Sequence, residues 1–411
     1  MTEILKPENT NQVLEVVQWA VAQKTPLDVR GQGTKLGMGR PAEAEHILDM
    51  SGLSKITDYQ PSELFVTASA GTPMKDIYAA LDQQNQQLMF EPPDYGPLLG
   101  GAVDQGTLGG LVACNLAGPR RIKAGSARDN CIGFHAVSGR GEIFKSGGKV
   151  VKNVTGFDLS KLMTGSYGTL AVMTEATLKV LPSPENARTV LLRWAKNSDA
   201  ARLNNKAMTE ALVSTNEVSS AAHLPSGVAG RSAVDYVSSA GSAVTAVRVE
   251  GPAPSTAYRC AALKELLSKF GDVEELHTKN SKTLWKEIAD VSYFAADLNR
   301  AVWRISVPPT EGANVVARIL ESSEADVMYD WGGGLVWLQI DEADRASEDL
   351  VRHSVSQAGG HATLVRGSKP LRQSARVFEP LDTYIADITK RVKDGFDPEG
   401  ILNPGRMYKG I

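Results

Sequence analysis

The chain has 411 residues, 42% of them hydrophobic and 22% charged, the balance of a packed globular protein with room for two or three domains. A net charge of -3 supplies no positive field for nucleic acid or an anionic membrane surface, so no nucleic-acid partner is expected. No stretch approaches the roughly 18 consecutive apolar residues of a membrane helix, and Glu3, Glu8 and Glu15 stand where a secretory leader would be basic and then apolar. The three cysteines, Cys114, Cys131 and Cys260, fit neither a disulfide framework nor a zinc or iron–sulfur spacing, so the expectation is reduced thiols, no metal and a cytoplasmic setting.

Val13, Val16, Val17, Ala20 and Val21 recur at helical spacing and predict a helix over 10–23, followed by a short strand, LDVR, at 27–30. Strands are expected near 46–49 and 64–70, then a helix over 73–83 with Thr72 as its N-cap. Residues 131–151 read as an antiparallel pair turning at Gly139, Arg140 and Gly141, and 170–182 as one long strand stopped by Pro182. Pro182 and Pro184 place a domain boundary at 183–186. Beyond it, Ser- and Ala-rich helical stretches over 198–245 alternate with strands at 245–251, 301–309 and 334–340. A helix over 384–397 and a tail over 398–411 close the chain. The alternation predicts an α+β fold in three parts: residues 1–185, a smaller α+β domain over 186–370, and a C-terminal helix and tail over 371–411.

Three glycine-rich stretches carry the functional signal. RGQGTKLGMG, 30–39, follows a strand, but its Gly31, Gly33 and Gly37 are spaced one residue too long for the dinucleotide fingerprint, and it lacks the Lys-Ser/Thr of a P-loop. What remains is a turn whose backbone N–H groups can cradle phosphate oxygens, with Arg30 and Lys35 to add charge. GTLGGLVACNLAGPRRIKAG, 106–125, interleaves glycines with buried-type residues and then presents Arg120, Arg121 and Lys123. GFDLSKLMTGSYGTL, 156–170, brackets Ser166 and Tyr167 with Gly165 and Gly168. Each stretch alone reads first as a structural turn. Together, in this order, they point to an anionic ligand approached closely by the backbone.

R-G-x-G-T near residue 30, P-P-D at 92–94, T-L-G-G at 107–110 with A-G at 117–118, and G-F-D-L-x-K-L-x-x-G-S-x-G-T-L at 156–170 resemble the FAD-binding domain of the vanillyl-alcohol oxidase family, the PCMH type. The resemblance implies a FAD cofactor and a two-part FAD-binding domain followed by a cap domain. It implies that Arg30, Gly31, Gln32, Gly33, Thr34 and Lys35, with Thr107, Gly109, Gly110, Gly118 and Gly125, clasp the pyrophosphate. Gly165, Gly168, Leu170 and Val172 would help to wall the adenine and ribose side, and Pro93 and Asp94 would join the site. The tail F-D-P-E-G-I-L-N-P-G-R-M-Y, 396–408, resembles the C-terminus of the branch that oxidises D-2-hydroxy acids, which brings Asn403 and Arg406 back toward the flavin. WRISVPP (303–309), DWGGG (330–334) and HATLVR (361–366) narrow the resemblance to the FAD-binding subunits of bacterial glycolate oxidases, over nearly the whole chain. The implied partners are a catalytic FAD sister subunit and an iron–sulfur subunit, with a small 2-hydroxy acid oxidised by the complex. Such a chain would be at most peripheral to the inner membrane, through that complex.

The departures are informative. Gln32 stands where relatives often have glycine, and residues 30–39 contain no histidine for a covalent link, so noncovalent FAD is expected. Catalytic members of the branch carry a His-x-His element and an acidic residue for a metal, whereas no two of His46, His135, His223, His277, His353 and His361 are separated by one residue. The catalytic residues are therefore left unassigned. His135 and His361 read first as structural histidines. Trp285, Trp303, Trp331 and Trp337 wall a flavin cavity or form core, and Arg120, Arg121, Lys123 and Arg128 meet phosphate, an acidic partner or solvent. Two further readings stand: a self-sufficient FAD-dependent D-2-hydroxy-acid dehydrogenase using Arg304 or Arg366 for the substrate carboxylate, and a scaffold subunit with a vestigial FAD site.

Overall fold

A computed structural model describes residues 3–148, 156–196, 199–342 and 344–410. The chain forms two compact units: Met1–Ala117, Gly125–Ser183 and Arg376–Ile411 make the first, and Gly118–Ala124 with Pro184–Ala375 the second. The chain passes from the first unit to the second after Ser183. The short excursion Gly118–Ala124 is not foreshadowed by composition, and the C-terminal segment is part of the first unit.

In the first unit, the helix Thr10–Gln23 buries Val13, Val17 and Ala20 against Leu27, Leu48, Val172 and Leu402, the helical spacing having set one apolar stripe. Strands Ile4–Leu5, His46–Asp49 and Leu27–Arg30 form a small parallel sheet in that order. A five-stranded antiparallel sheet runs Ile56–Gln60, Phe65–Ser69, Ala171–Lys179, Cys131–Ser138, Ile143–Gly147. Gly141, at φ +71°, makes the turn between the last two of these in sequence. Part of the expected 131–151 pair lies outside the described residues.

Two expectations are corrected. The helix Met74–Asp82 has Pro73, not Thr72, at its N-cap; Thr72 Oγ1 instead accepts from the Lys55 amide (3.0 Å) and donates to the Lys55 carbonyl (3.2 Å), tying the start of the helix to a neighbouring loop. The strand predicted over 170–182 ends at Lys179, and Leu181–Pro182 pairs separately with Gln86–Gln87.

The second unit is built on an eight-stranded antiparallel sheet in the order Asp272–Leu276, Asn186–Arg193, Val244–Gly251, Ser220–Leu224, Ala325–Asp330, Leu335–Ile340, Ala301–Ser306, His361–Arg366. Ser220–Leu224, SAAHL, sits mid-sheet inside a region read from its alanines as helical; burial between two strands overrides propensity there. Trp285, Trp303 and Trp337 are buried in this unit and are core. Among the described residues no helix is long and apolar enough to cross a membrane.

The Gly118–Ala124 segment is fastened by charge and by aromatic stacking. Arg120 holds Glu250 through both Nε (3.0 Å to Oε2) and Nη2 (2.6 Å to Oε1). Arg121 lies 4.8 Å from the Trp331 ring centroid, and Trp331 Nε1 donates to the Gly118 carbonyl at 3.1 Å. Burial alone would raise the Glu250 carboxyl, but the Arg248 charge and the Arg120 hydrogen bonds and charge overrule it and hold it at about 2. The folded value is depressed below the usual glutamate value of 4.5, so this contribution to stability is complete above about 4.5 and is lost as the pH falls through about 2. Glu250→Gln is expected to destabilise the chain at pH 7 by about 3 kcal/mol, because two arginines keep a buried site without its anion. In urea titrations the gap between the two chains should narrow as the pH drops from 4.5 toward 2; a gap independent of pH refutes the assignment.

Candidate functional site

In the first unit the strand Leu27–Arg30 delivers the chain into the turn 31–36, and the short helix Leu108–Ala113 lies against it. Gly31 approaches Thr107 so closely that a Cβ would overlap its side chain, and a Cβ on Gly109 would lie 2.9 Å from the Ala70 Cβ. These two glycines let backbone meet backbone where any side chain would intervene. Thr107 caps the helix, its Oγ1 accepting from the Gly110 amide at 3.4 Å. Between turn and helix lies a cavity with about 920 Å³ of space not filled by protein, part of it open to solvent.

One wall of this cavity is polar. Arg30, Gly31, Gln32, Gly33, Thr34 and Lys35 line it, facing Thr107, Gly109 and Gly110. Arg30 gives Nη2 to Asp28, while its buried Nε has no partner. Lys35 Nζ reaches Thr34 Oγ1 at 3.3 Å; burial lowers its pKa from the usual lysine value, with Cys114 and Asp94 opposing. An anion placed here would supply what burial removes from both cations. The other wall, Ala113, Ala136, Met163, Ala171 and Met173, is apolar.

The C-terminal tail closes the cavity. Asn403 and Arg406 line it. Asn403 Oδ1 accepts from the Val29 amide (2.7 Å) and its Nδ2 donates to the Tyr167 carbonyl (2.8 Å), while Arg406 Nη2 donates to the Lys35 carbonyl (2.9 Å). Gly168, at φ +70°, lies against Asn403: a Cβ there would stand 2.8 Å from Nδ2.

Twelve of the sequence-predicted residues thus share one cavity: the six of the first loop, Thr107, Gly109, Gly110, Gly168, Asn403 and Arg406. The others lie elsewhere. Gly118 belongs to the second unit. Pro93 is buried, and Asp94 organises its own loop, accepting from the amides of Gly96 (3.0 Å) and Asp104 (2.7 Å). Gly125 turns at φ +73° beside Asp129, and Gly165 at φ +90° gives its amide to the Val112 carbonyl. Leu170 and Val172 are packed into core clusters.

Sequence reasoning passed over Ala171, Met173 and Tyr167. On the strand Ala171–Lys179, Ala171 and Met173 line the cavity while Val172, between them, packs into the core beneath the helix Thr10–Gln23; Leu170 precedes the strand and packs beside Ala171. Tyr167 lines the cavity at φ +54°, a left-handed conformation for a bulky residue, with its carbonyl turned to Asn403. The motif placed it between two glycines, which was the available signal.

A family profile described as FAD binding domain matches residues 2–147. The chain is 34% identical over 396 residues to glycolate oxidase subunit GlcE of Escherichia coli (strain K12), covering 96% of each chain. It belongs to this family of FAD-binding glycolate oxidase subunits. Glycolate oxidase subunit GlcD of Bacillus subtilis (strain 168) is 26% identical over 430 residues, covering 98% of this chain and 88% of that one. Among solved structures, 4-ethylphenol oxidase from Gulosibacter chungangensis superposes with a TM-score of 0.72 at 15% identity, and p-cresol methylhydroxylase with 0.69 at 14%, covering 98% and 99% of this chain respectively and 88% of each of those. The fold is the PCMH type, and the chain is a FAD-dependent oxidoreductase.

The residues present fit FAD. Two glycines that let the turn and the helix pack closely, a buried Arg30 Nε without a partner and a desolvated Lys35 make a wall suited to phosphates, and the apolar wall opposite suits a ring system. Among the described residues no histidine lines the cavity. Burial pushes the Cys114 thiol up, against Lys35 and Arg406, which disfavours the thiolate that a covalent link would use. Gly110 tests the cradle cleanly: a Cβ there lies 3.4 Å from Thr107 Oγ1 and 3.6 Å from Lys35 Nζ, so the backbone tolerates it, while a longer side chain enters the cavity. Gly110→Leu should fold with wild-type circular dichroism and purify with a flavin-to-protein absorbance ratio at least about tenfold lower, tenfold corresponding to roughly 1.4 kcal/mol; a full complement of flavin contradicts the placement.

Proposed function

We propose that this chain is the flavin-holding subunit of a complex that oxidises glycolate to glyoxylate and passes the electrons to an acceptor other than a nicotinamide. The observation that carries the reading is the cavity of the first unit, in a chain similar from end to end to GlcE: glycines and cations for phosphates on one wall, apolar side chains on the other, and the tail across it. Bound FAD supplies two-electron acceptor chemistry. Around it the chain's own residues have separate tasks. Lys35 and Arg30 neutralise phosphate, the N–H groups of the 31–36 turn orient it, and Met163 and Met173 exclude water.

Removing the hydroxyl proton of a 2-hydroxy acid needs a base, and among the described residues lining the cavity there is no histidine, aspartate or glutamate. The histidines are dispersed. His135 and His361 are exposed on strands, and His223 is buried in the second unit. Among the described residues no group of three or more His, Cys, Asp or Glu is placed to hold a metal. The base and substrate-orienting groups are accordingly assigned to a sister flavoprotein subunit, and onward electron transfer to an iron–sulfur subunit.

One observation favours the self-sufficient dehydrogenase. Arg304 lies 5.0 Å from the Trp331 ring centroid and has no hydrogen bond or ion pair among the described residues, leaving its fork open to a carboxylate. Arg366 offers no such fork, since it donates to the carbonyls of Phe294 (2.8 Å), Asp297 (2.6 Å) and Arg300 (3.1 Å). Anaerobic visible spectra of the purified chain decide between the two. On adding glycolate the flavin band should persist, and it should bleach when the sister subunit is also present; bleaching in the chain alone overturns the division of labour, and a folded, colourless chain overturns the flavin-holding role.

A further inference from the structure

The second unit contains a cavity of its own, with about 1080 Å³ of space not filled by protein, part of it open to solvent. Sheet register builds its floor. Ser220–Leu224 runs between Val244–Gly251 and Ala325–Asp330, which sets His223 directly opposite Thr245 on one side and Tyr329 on the other. Residues paired in this way project from the same face of a sheet. The rings of His223 and Tyr329 are 5.7 Å apart, and Trp194 stands 6.2 Å from His223.

The hydrogen bonds around Thr245 fix the state of the imidazole. Trp194 Nε1 lies 2.9 Å from Thr245 Oγ1, and the indole N–H can only donate. The hydroxyl proton then goes to its other neighbour, His223 Nδ1, at 2.8 Å. Nδ1 is therefore an acceptor, and the proton of the neutral ring sits on Nε2. Burial drives the imidazole pKa down to about 3 and raises that of the Tyr329 phenol, so both groups are neutral donors near pH 7. His223 and Tyr329 line the cavity at 1% and 3% exposure. Neither His223 Nε2 nor the Tyr329 hydroxyl has a partner among the described residues.

Val228, Val316, Leu320 and Val327 give the remaining walls an apolar surface, with Ser226 and Ser242 beside them. The charges that reach the cavity are exposed Lys196 and Asp326, and Asp326 is already held by Arg231 (2.9 Å) and Arg300 (2.8 Å). A carboxylate placed against these two buried neutral donors would be desolvated with only the exposed Lys196 at the cavity to offset its charge. A carbonyl oxygen satisfies the same donors without that cost.

We propose that this cavity is a second binding site, for a small uncharged organic molecule whose carbonyl oxygen accepts from His223 Nε2 and the Tyr329 hydroxyl. The site is separate from the flavin cavity, and its occupancy is read without turnover.

Calorimetric titration of the full chain with acetophenone, and with benzoate as its charged counterpart, tests the proposal. Acetophenone should bind saturably and quench Trp194 fluorescence, with benzoate at least about tenfold weaker. Tyr329→Phe should weaken acetophenone about tenfold, the loss expected for roughly 1.4 kcal/mol of hydrogen bonding. Gly227→Leu provides a second variant: Gly227 lines the cavity with nothing within 4 Å of its Cβ direction, so the side chain should fill space and abolish binding without disturbing FAD content. Absence of acetophenone binding, equal binding by Tyr329→Phe and Gly227→Leu, or tighter binding of benzoate would each overturn it.

Discussion

The first unit depends on a single residue near the end of the chain. Asn403 is buried, sits at φ +43° and bonds in both directions, its Oδ1 to the Val29 amide and its Nδ2 to the Tyr167 carbonyl. Leu27–Arg30 would otherwise end its small sheet with unpaired amides. The tail completes that edge, with Leu27 giving its amide to the Ile401 carbonyl (2.7 Å) and Asn403 giving its own to the Leu27 carbonyl (3.0 Å). Because Arg30 begins the first glycine turn and Tyr167 belongs to the third, one carboxamide spaces two loops that are more than a hundred residues apart in sequence. The tail is held in its turn by buried Lys393, which donates to the Thr169 and Leu402 carbonyls (2.7 and 2.9 Å) and pairs with Asp397 at 2.6 Å. A buried ion pair of this kind adds little net stability and a great deal of positional definition, since removing either partner strands a charge.

That arrangement makes a flavin site without the dinucleotide fingerprint. What it offers to phosphates is a glycine turn and two cations, a desolvated Lys35 and an Arg30 whose buried Nε has no partner. Among the described residues that line the cavity there is no carboxylate or imidazole base, the observation on which the proposed division of labour rests.

Much of this was legible in the sequence, and the failures have physical causes. Glycines at 31, 109, 110 and 168 announced close approach, and the helix Thr10–Gln23 followed from its apolar stripe. Ala171 and Met173 line the cavity and Val172 does not, a distinction the motif could not make because a strand's parity shows only when its neighbours do. Gly118 looked like part of the second glycine stretch. Its place in the second unit depends on Arg120 meeting Glu250 and on the Trp331 indole, contacts spanning 130 and 213 residues that no local pattern reveals. The strand Ser220–Leu224 was hidden by its alanines, and with it the row of Thr245, His223 and Tyr329.

The central claim is that the C-terminal tail is a structural part of the flavin site. Its most direct test is the FAD dissociation constant of Asn403→Ala beside that of the wild-type chain, with circular dichroism confirming the fold. Loss of two buried hydrogen bonds should weaken FAD about 10- to 100-fold while the secondary structure is kept. Undiminished FAD affinity in the folded variant would contradict the account.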